Sequence, residues 1–110
     1  MSRRTEKVAA LMQKEVGEHL ARLELAALTT ISKVEVSPDL KYCKIWVTIF
    51  GNPEKQKMVH GQIKEELPGL QHELNKKLTM KFVPRISFVT DHGEEYAAHI
   101  NELLRHAHEE

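Results

Sequence analysis

Residues 30–50 read TISKVEVSPDLKYCKIWVTIF, and this stretch decides the fold. Its first part is rich in β-branched residues and its last ten residues alternate apolar and polar, as a strand with one buried face does. The turn-forming Ser37-Pro38-Asp39-Leu40 lies between them, so the stretch predicts a β-hairpin. The side of its second strand that should face the core holds Cys43, Ile45, Val47 and Ile49. The opposite side holds Tyr42, Lys44, Trp46, Thr48 and Phe50.

Helical periodicity flanks the hairpin on both sides. Before it, apolar residues recur at three- and four-residue steps from about Ser2 to Leu23, which predicts one amphipathic helix. After it, one apolar stripe runs from Met58 to Leu67 and another from Leu70 to Leu78. Because proline and glycine separate the two stripes, the pattern predicts two helices bent against each other at Pro68-Gly69.

A third strand is predicted over residues 79–90. One of its faces should hold Met80, Phe82, Ile86 and Phe88. Pro84 has no N–H to donate, so this strand should lie at a sheet edge or contain a bulge at the proline. The crossover through the two helices makes it parallel to the second strand if the two are neighbours. The fold class is therefore α+β, with the order α-β-β-α-α-β and a three-stranded mixed sheet.

The charge of the chain changes sign near its end. Residues 1–90 hold 15 Lys and Arg against 10 Asp and Glu, whereas residues 91–110 hold 1 against 6, so the net charges are +5 and −5. Residues 93–110 also place an apolar stripe at helical spacing: Tyr96, Ala97, Ile100, Leu103, Leu104 and Ala107. We therefore expect a domain over residues 1–92 and an acidic C-terminal amphipathic helix or tail over residues 93–110.

Composition and motifs argue against an enzyme. The single cysteine, Cys43, cannot form an internal disulfide, and no continuous apolar stretch indicates a signal peptide or membrane span, so a cytoplasmic protein is expected. No activated nucleophile, acid–base pair or phosphate loop is recognisable, which predicts no enzyme, cofactor or small-molecule substrate. The pairs Glu95/His99 and Glu102/His106 suggest a metal site, but a solvated helix explains them better.

Positive charge suggests RNA as the partner, since proteins hold RNA chiefly through its phosphates. The first helix offers Arg3, Arg4, Lys7 and Lys14, and the end of the third offers Lys76 and Lys77. The outward face of the sheet offers Lys44, Lys81 and Arg85, for which an ordinary solvated face is an equal alternative. A helix beginning at Gly69 would present free backbone amides to a phosphate.

The role of Trp46 has two interpretations. It could stack on an RNA base beside Lys44 and Arg85, because aromatic rings among cations suit single-stranded RNA. The favoured alternative is that it packs under the C-terminal helix, whose apolar stripe needs a surface. Cys43, among aliphatic neighbours, is expected to be a small buried residue and not a reactive thiol.

Several of these segments resemble the bacterial ribosome-binding factor A family, and the resemblance spans nearly the whole chain. It rests on Arg4-Thr5-Glu6-Lys7-Val8, Val34-Glu35-Val36-Ser37-Pro38-Asp39-Leu40, Cys43-Lys44-Ile45-Trp46-Val47, Val83-Pro84 and Phe88-Val89-Thr90-Asp91. The order and spacing of these pieces make the resemblance specific. It implies a fold like the type II KH domain, in agreement with the order of elements above.

The resemblance also implies a function. A member of this family would bind immature small (30S) ribosomal subunits and their 16S rRNA, assist late maturation including 5′-end processing, and be linked to growth in the cold. We expect it to act as a monomer without a membrane partner. The competing hypothesis is a protein–protein adaptor that uses the C-terminal helix, with basic residues that only keep it soluble.

Overall fold

The computed structural model describes residues 3–90, which form two helices and a three-stranded sheet. In chain order the elements are α1 (Arg3–Arg22), β1 (Thr29–Val36), β2 (Tyr42–Ile49), α2 (Pro53–Lys77) and β3 (Arg85–Thr90). The sheet order is β1-β2-β3, with β1 antiparallel and β3 parallel to β2. This confirms the α+β class, the mixed sheet and the edge position of β3. Neither helix within residues 3–90 is long and apolar enough to cross a membrane.

The core lies on one face of the sheet, between β2 and the two helices. Every residue predicted to point inward from β2 is at most 2% exposed: Cys43, Ile45, Val47 and Ile49. Helix α1 covers them with Val8, Met12, Val16 and Leu20, and α2 with Val59, Ile63, Leu70 and Leu74. The predicted inward face of β2 is confirmed. Because both helices pack on this face, the opposite face of the sheet is left open by residues 3–90.

Helix α2 runs through Pro68 and Gly69 without interruption, so the prediction of two bent helices was wrong. Asn52 caps its start by accepting a hydrogen bond from the Lys55 backbone N–H at 2.9 Å. Its buried residues stay in phase across the proline, so the same side of the helix faces the core before and after it. Proline removes one backbone hydrogen bond from the helix, and the packing of the continuous stripe outweighs that local loss.

The third strand is shorter than predicted, because it begins at Arg85 and not at Thr79. Pro84 is buried immediately before it, where its missing N–H costs no ladder hydrogen bond. The segment from Met80 to Val83 forms a loop between α2 and β3. Phe82 lies in this loop with 76% of its surface exposed, whereas Ile86 is buried, so the prediction that the two share one face of a strand was wrong.

The start of the free edge of β3 is hydrogen-bonded by the side chain of Gln71 from α2. Its amide oxygen accepts the Ile86 backbone N–H at 2.8 Å, and its nitrogen donates to the Pro84 carbonyl at 3.1 Å. The same nitrogen donates to the Asn75 side chain at 3.2 Å. One side chain therefore acts as a substitute for a neighbouring strand.

We expect Gln71→Ala to lower the free energy of unfolding by about 1–3 kcal/mol, because a partly buried N–H and carbonyl lose their partner. Urea denaturation measures the change. Asn75→Ala is the matched control: it removes only the supporting contact and should cost clearly less. Equal stability of Gln71→Ala and the wild type would mean that water replaces the glutamine without loss.

Candidate nucleic-acid interface

A cleft of about 860 Å³ lies at the end of the molecule where α1 begins. Its other walls are the turn between β1 and β2 and the loop between α2 and β3. Four cations from these separate segments line it: Arg4, Lys41, Lys81 and Arg85. Three of them were candidate RNA-binding residues in the sequence. Lys41 was missed, because a lone lysine after a turn has no pattern that marks it.

The cations of the cleft outnumber the carboxylates that line it in the described part of the chain. Among residues 3–90, no carboxylate forms an ion pair with any of the four. Asp39 is the one acid in the lining among residues 3–90, and its carboxylate accepts hydrogen bonds from the Ser37 hydroxyl at 2.6 Å and the Lys41 backbone N–H at 3.0 Å. These bonds, the Ser37 bond first, hold the pKa of Asp39 below its ordinary value. Asp39 is therefore used within the turn, and the cleft keeps a net positive charge.

An exposed aromatic ring stands beside these charges. Phe82 lies in the cleft wall, and the Lys81 ammonium is 5.7 Å from the centre of its ring. Aromatic rings next to cations stack on unpaired nucleobases without strong sequence preference. The cleft therefore offers two kinds of contact that single-stranded RNA uses, charge for its phosphates and an aromatic face for a base.

The two candidate lysines at the end of α2 differ in whether they form an ion pair. Lys77 donates to Glu15 of α1 at 2.8 Å, and the Glu15 side chain is only 10% exposed. This hydrogen bond is the main cause that lowers the pKa of Glu15 and raises that of Lys77. Lys77 therefore joins α2 to α1, whereas Lys76 beside it forms no ion pair within residues 3–90. The sequence could not reveal this pairing, because its partners lie on different helices.

Exposed positions on α1 hold the other helical candidates. They are Arg3, Arg4, Lys7 and Lys14. Of these, only Arg4 lines the cleft. The structure thus brings together Arg4, Lys81 and Arg85. It leaves the other predicted lysines and arginines outside the cleft lining: Arg3, Lys7, Lys14, Lys44, Lys76 and Lys77.

The Glu15–Lys77 pair should make stability depend on pH. A carboxyl whose pKa is lowered by folding stabilises the protein above its unfolded pKa of about 4.3, and this contribution is lost as pH falls below that value. The raised pKa of Lys77 likewise stabilises below about 10.4 and is lost as pH rises further. We expect the stability difference between wild type and Lys77→Met to be largest near neutral pH and to shrink in acid.

Urea denaturation at a series of pH values from neutral to about 3 tests this prediction. Lys76→Met, which changes the exposed neighbour, is the control and should show a much smaller difference from the wild type at every pH. A Lys77→Met difference that does not change between neutral and acidic pH would contradict the proposed role of the pair.

Gly69 does not lie at the start of a helix, so the reason for expecting phosphate contacts there was wrong. It lies within α2, where backbone amides are used in the helix. A Cβ placed on it would meet nothing within 4 Å. Neither close approach nor an unusual backbone conformation requires a glycine at this position.

On the open face of the sheet, Trp46 lies between two lysines. The Lys33 ammonium is 4.8 Å and the Lys44 ammonium 5.5 Å from its ring centre. Lys33 also pairs with Glu35 at 3.5 Å. The expected packing of Trp46 under the C-terminal helix involves residues outside those that the structure describes.

Reactive groups do not assemble into a site in the described part of the chain. Cys43 is fully buried, and desolvation raises the pKa of its thiol to about 12, so the thiolate nucleophile is not available. Within residues 3–90, no group of three or more His, Cys, Asp or Glu side chains could hold a metal ion. The histidines of residues 99–108 lie outside the described residues.

Comparison with known proteins agrees with the resemblance in the sequence. The family model described as Ribosome-binding factor A matches residues 4–104. The chain belongs to this family. The ribosome-binding factor A of Prochlorococcus marinus is 38% identical over 108 residues, which cover 94% of this chain and 83% of that protein.

Solved members of the ribosome-binding factor A family have a similar fold. The solution NMR structure of a Thermotoga maritima protein assigned to the family matches with a TM-score of 0.68 and 27% identity, over 86% of this chain and 93% of that one. A homology model of ribosome-binding factor A from Thermus thermophilus, fitted into a cryo-EM map of its 30S complex, matches with a TM-score of 0.62 and 20% identity. That match covers 76% of this chain and 90% of the other, and it shows the fold alone.

Proposed function

We propose that this protein is an assembly factor that binds the immature small ribosomal subunit through its 16S rRNA. The cleft is the observation that supports this most strongly, because four cations from separate segments surround it and none of them forms an ion pair with a carboxylate of residues 3–90. RNA phosphates are the ligands that such a set fits. Membership of the ribosome-binding factor A family, and the 30S complex of the Thermus relative, support the small subunit as the source of that RNA.

The factor would act by differential binding. A protein without catalytic activity can shift the equilibrium between two arrangements of the RNA only by as much as its affinity for them differs. It would hold immature rRNA in one arrangement and so assist late maturation, including processing of the 5′ end by other enzymes. In this proposal residues 1–92 are the KH-like RNA-binding domain of a cytoplasmic monomer, and residues 93–110 are its acidic C-terminal amphipathic helix or tail.

Co-sedimentation tests the proposed function. The full chain is centrifuged with free small subunits and with mature ribosomes, each at low and raised salt. Selective binding to free subunits that falls steeply with salt is expected, because neutralising phosphates releases condensed counterions. Binding whose affinity does not change with salt concentration would favour the adaptor hypothesis. Absence of binding to either particle would contradict both the small subunit and its RNA as partners.

A further inference from the structure

The outer face of the sheet is a second surface suited to binding. Its central strand presents Tyr42, which is 59% exposed, and Trp46 between Lys33 and Lys44. Arg85 of β3 is next to Tyr42 in the parallel ladder, so it lies on the same face. The face therefore carries three positive charges, Lys33, Lys44 and Arg85, and the negative charge of Glu35. No element within residues 3–90 covers this surface. An aromatic surface with excess positive charge suits a partner that is both apolar and acidic.

The chain itself supplies such a segment at the right place. In β3 the neighbour of Trp46 is Val89, and the strand ends one residue later at Thr90. Adjacent strands are about 4.8 Å apart, whereas the three residues 91–93 can extend about 10 Å, so the chain can turn onto the outer face. Residues 94–108 as a helix would be roughly 22 Å long, close to the roughly 26 Å of an eight-residue strand such as β2.

We propose that residues 91–110 bind the outer face of the sheet and cover Trp46. Their net charge of −5 complements the excess positive charge of the face. Tyr96, Ile100 and Leu103 belong to the apolar stripe predicted from the sequence, and the rings of Tyr42 and Trp46 give that stripe a surface to bury. The segment is tethered beside the face, so its effective concentration there is far above that of a free chain in solution.

This contact would also regulate RNA binding, a consequence that rests on the proposed function. Lys44 lies on the covered face, and Arg85 contributes to both that face and the cleft. An acidic segment beside Arg85 competes with phosphate for the same charge. RNA and the tail should therefore exclude each other in part.

Nuclear magnetic resonance on the full chain tests the contact without RNA. Trp46 is the single tryptophan, so its indole N–H gives one assignable signal. A nitroxide is attached through Glu102→Cys, and the buried Cys43 should not react. The indole signal should lose most of its intensity, and recover it at raised salt or when Lys33→Glu and Lys44→Glu are added.

The control carries the nitroxide through Lys64→Cys, an exposed position on α2 on the other side of the sheet. Its weaker effect on Trp46 should not change with salt. An unaffected indole in the Glu102→Cys chain would overturn the proposal. In a mixed sample, an isotope-enriched chain without nitroxide is combined with a nitroxide-carrying chain. Broadening of its Trp46 signal would mean that the tail of a second copy occupies the face, and this would also overturn the proposal.

Adding an unstructured RNA separates this inference from the proposed function. If the tail contact is present and RNA restores the indole signal, competition is supported. If the contact is present but RNA neither binds nor restores the signal, the proposed function fails while the docking of the tail stands. If RNA binds and the nitroxide never affected Trp46, the tail proposal alone fails.

Discussion

Arg4→Glu combined with Lys81→Glu is expected to weaken binding to 16S rRNA about 100-fold or more near 0.1 M salt. Each charge-assisted hydrogen bond to a phosphate is worth about 1.5–3 kcal/mol, and a reversed charge adds repulsion. The slope of log affinity against log salt should also fall by about one for each phosphate that the variant no longer neutralises. Filter binding or fluorescence anisotropy over a salt series measures both quantities.

Lys57→Glu combined with Lys64→Glu is the matched control for this prediction. It makes the same change in net charge, and both lysines are exposed on α2 and do not line the cleft. It should weaken binding only modestly, through the long-range field. If the two double variants lose affinity equally, RNA binding depends on overall charge and the cleft is not the interface.

The two sides of β2 could be predicted from the sequence alone. Alternation with a period of two places every second residue on one face, and burial of only one face makes the choice unambiguous. Cys43 and Ile45 therefore point inward as predicted, and Lys44 and Trp46 point outward. Pro84 was the reason to expect β3 at the edge or a bulge at the proline. The edge position is confirmed, although Pro84 lies just before the strand and not in it.

The cleft could not be predicted, because its walls are joined only by tertiary structure. Arg4, Lys41 and Lys81 lie far apart in the chain, and no periodicity relates them. The position of Phe82 was predicted wrongly for a related reason. Its spacing from Ile86 matched a strand, but the strand begins only after Pro84, so the period of two does not extend to the phenylalanine.

Pro68→Ala combined with Gly69→Ala is expected to raise the free energy of unfolding by about 1–3 kcal/mol. In a helix interior, proline is about 3 kcal/mol and glycine about 1 kcal/mol less favourable than alanine. Both residues are exposed within the continuous α2, and a Cβ on Gly69 meets no atom within 4 Å. Part of the gain should be cancelled because the present helix has already adapted to the proline. Thermal or urea denaturation measures the change.

The same variant decides whether this part of α2 contacts RNA. If α2 is one helix whose role is packing, affinity for 16S rRNA should stay within about two-fold of the wild type while stability rises. Replacing Pro68 would then change the stability of the protein, whereas replacing Arg4 would change its affinity for RNA. A variant that is more stable but binds RNA much less tightly would show that the helix must open or bend at Pro68-Gly69 to hold its ligand. In that case Gly69 would return as a binding residue, and the backbone amides freed by such a bend would be the groups that contact phosphate.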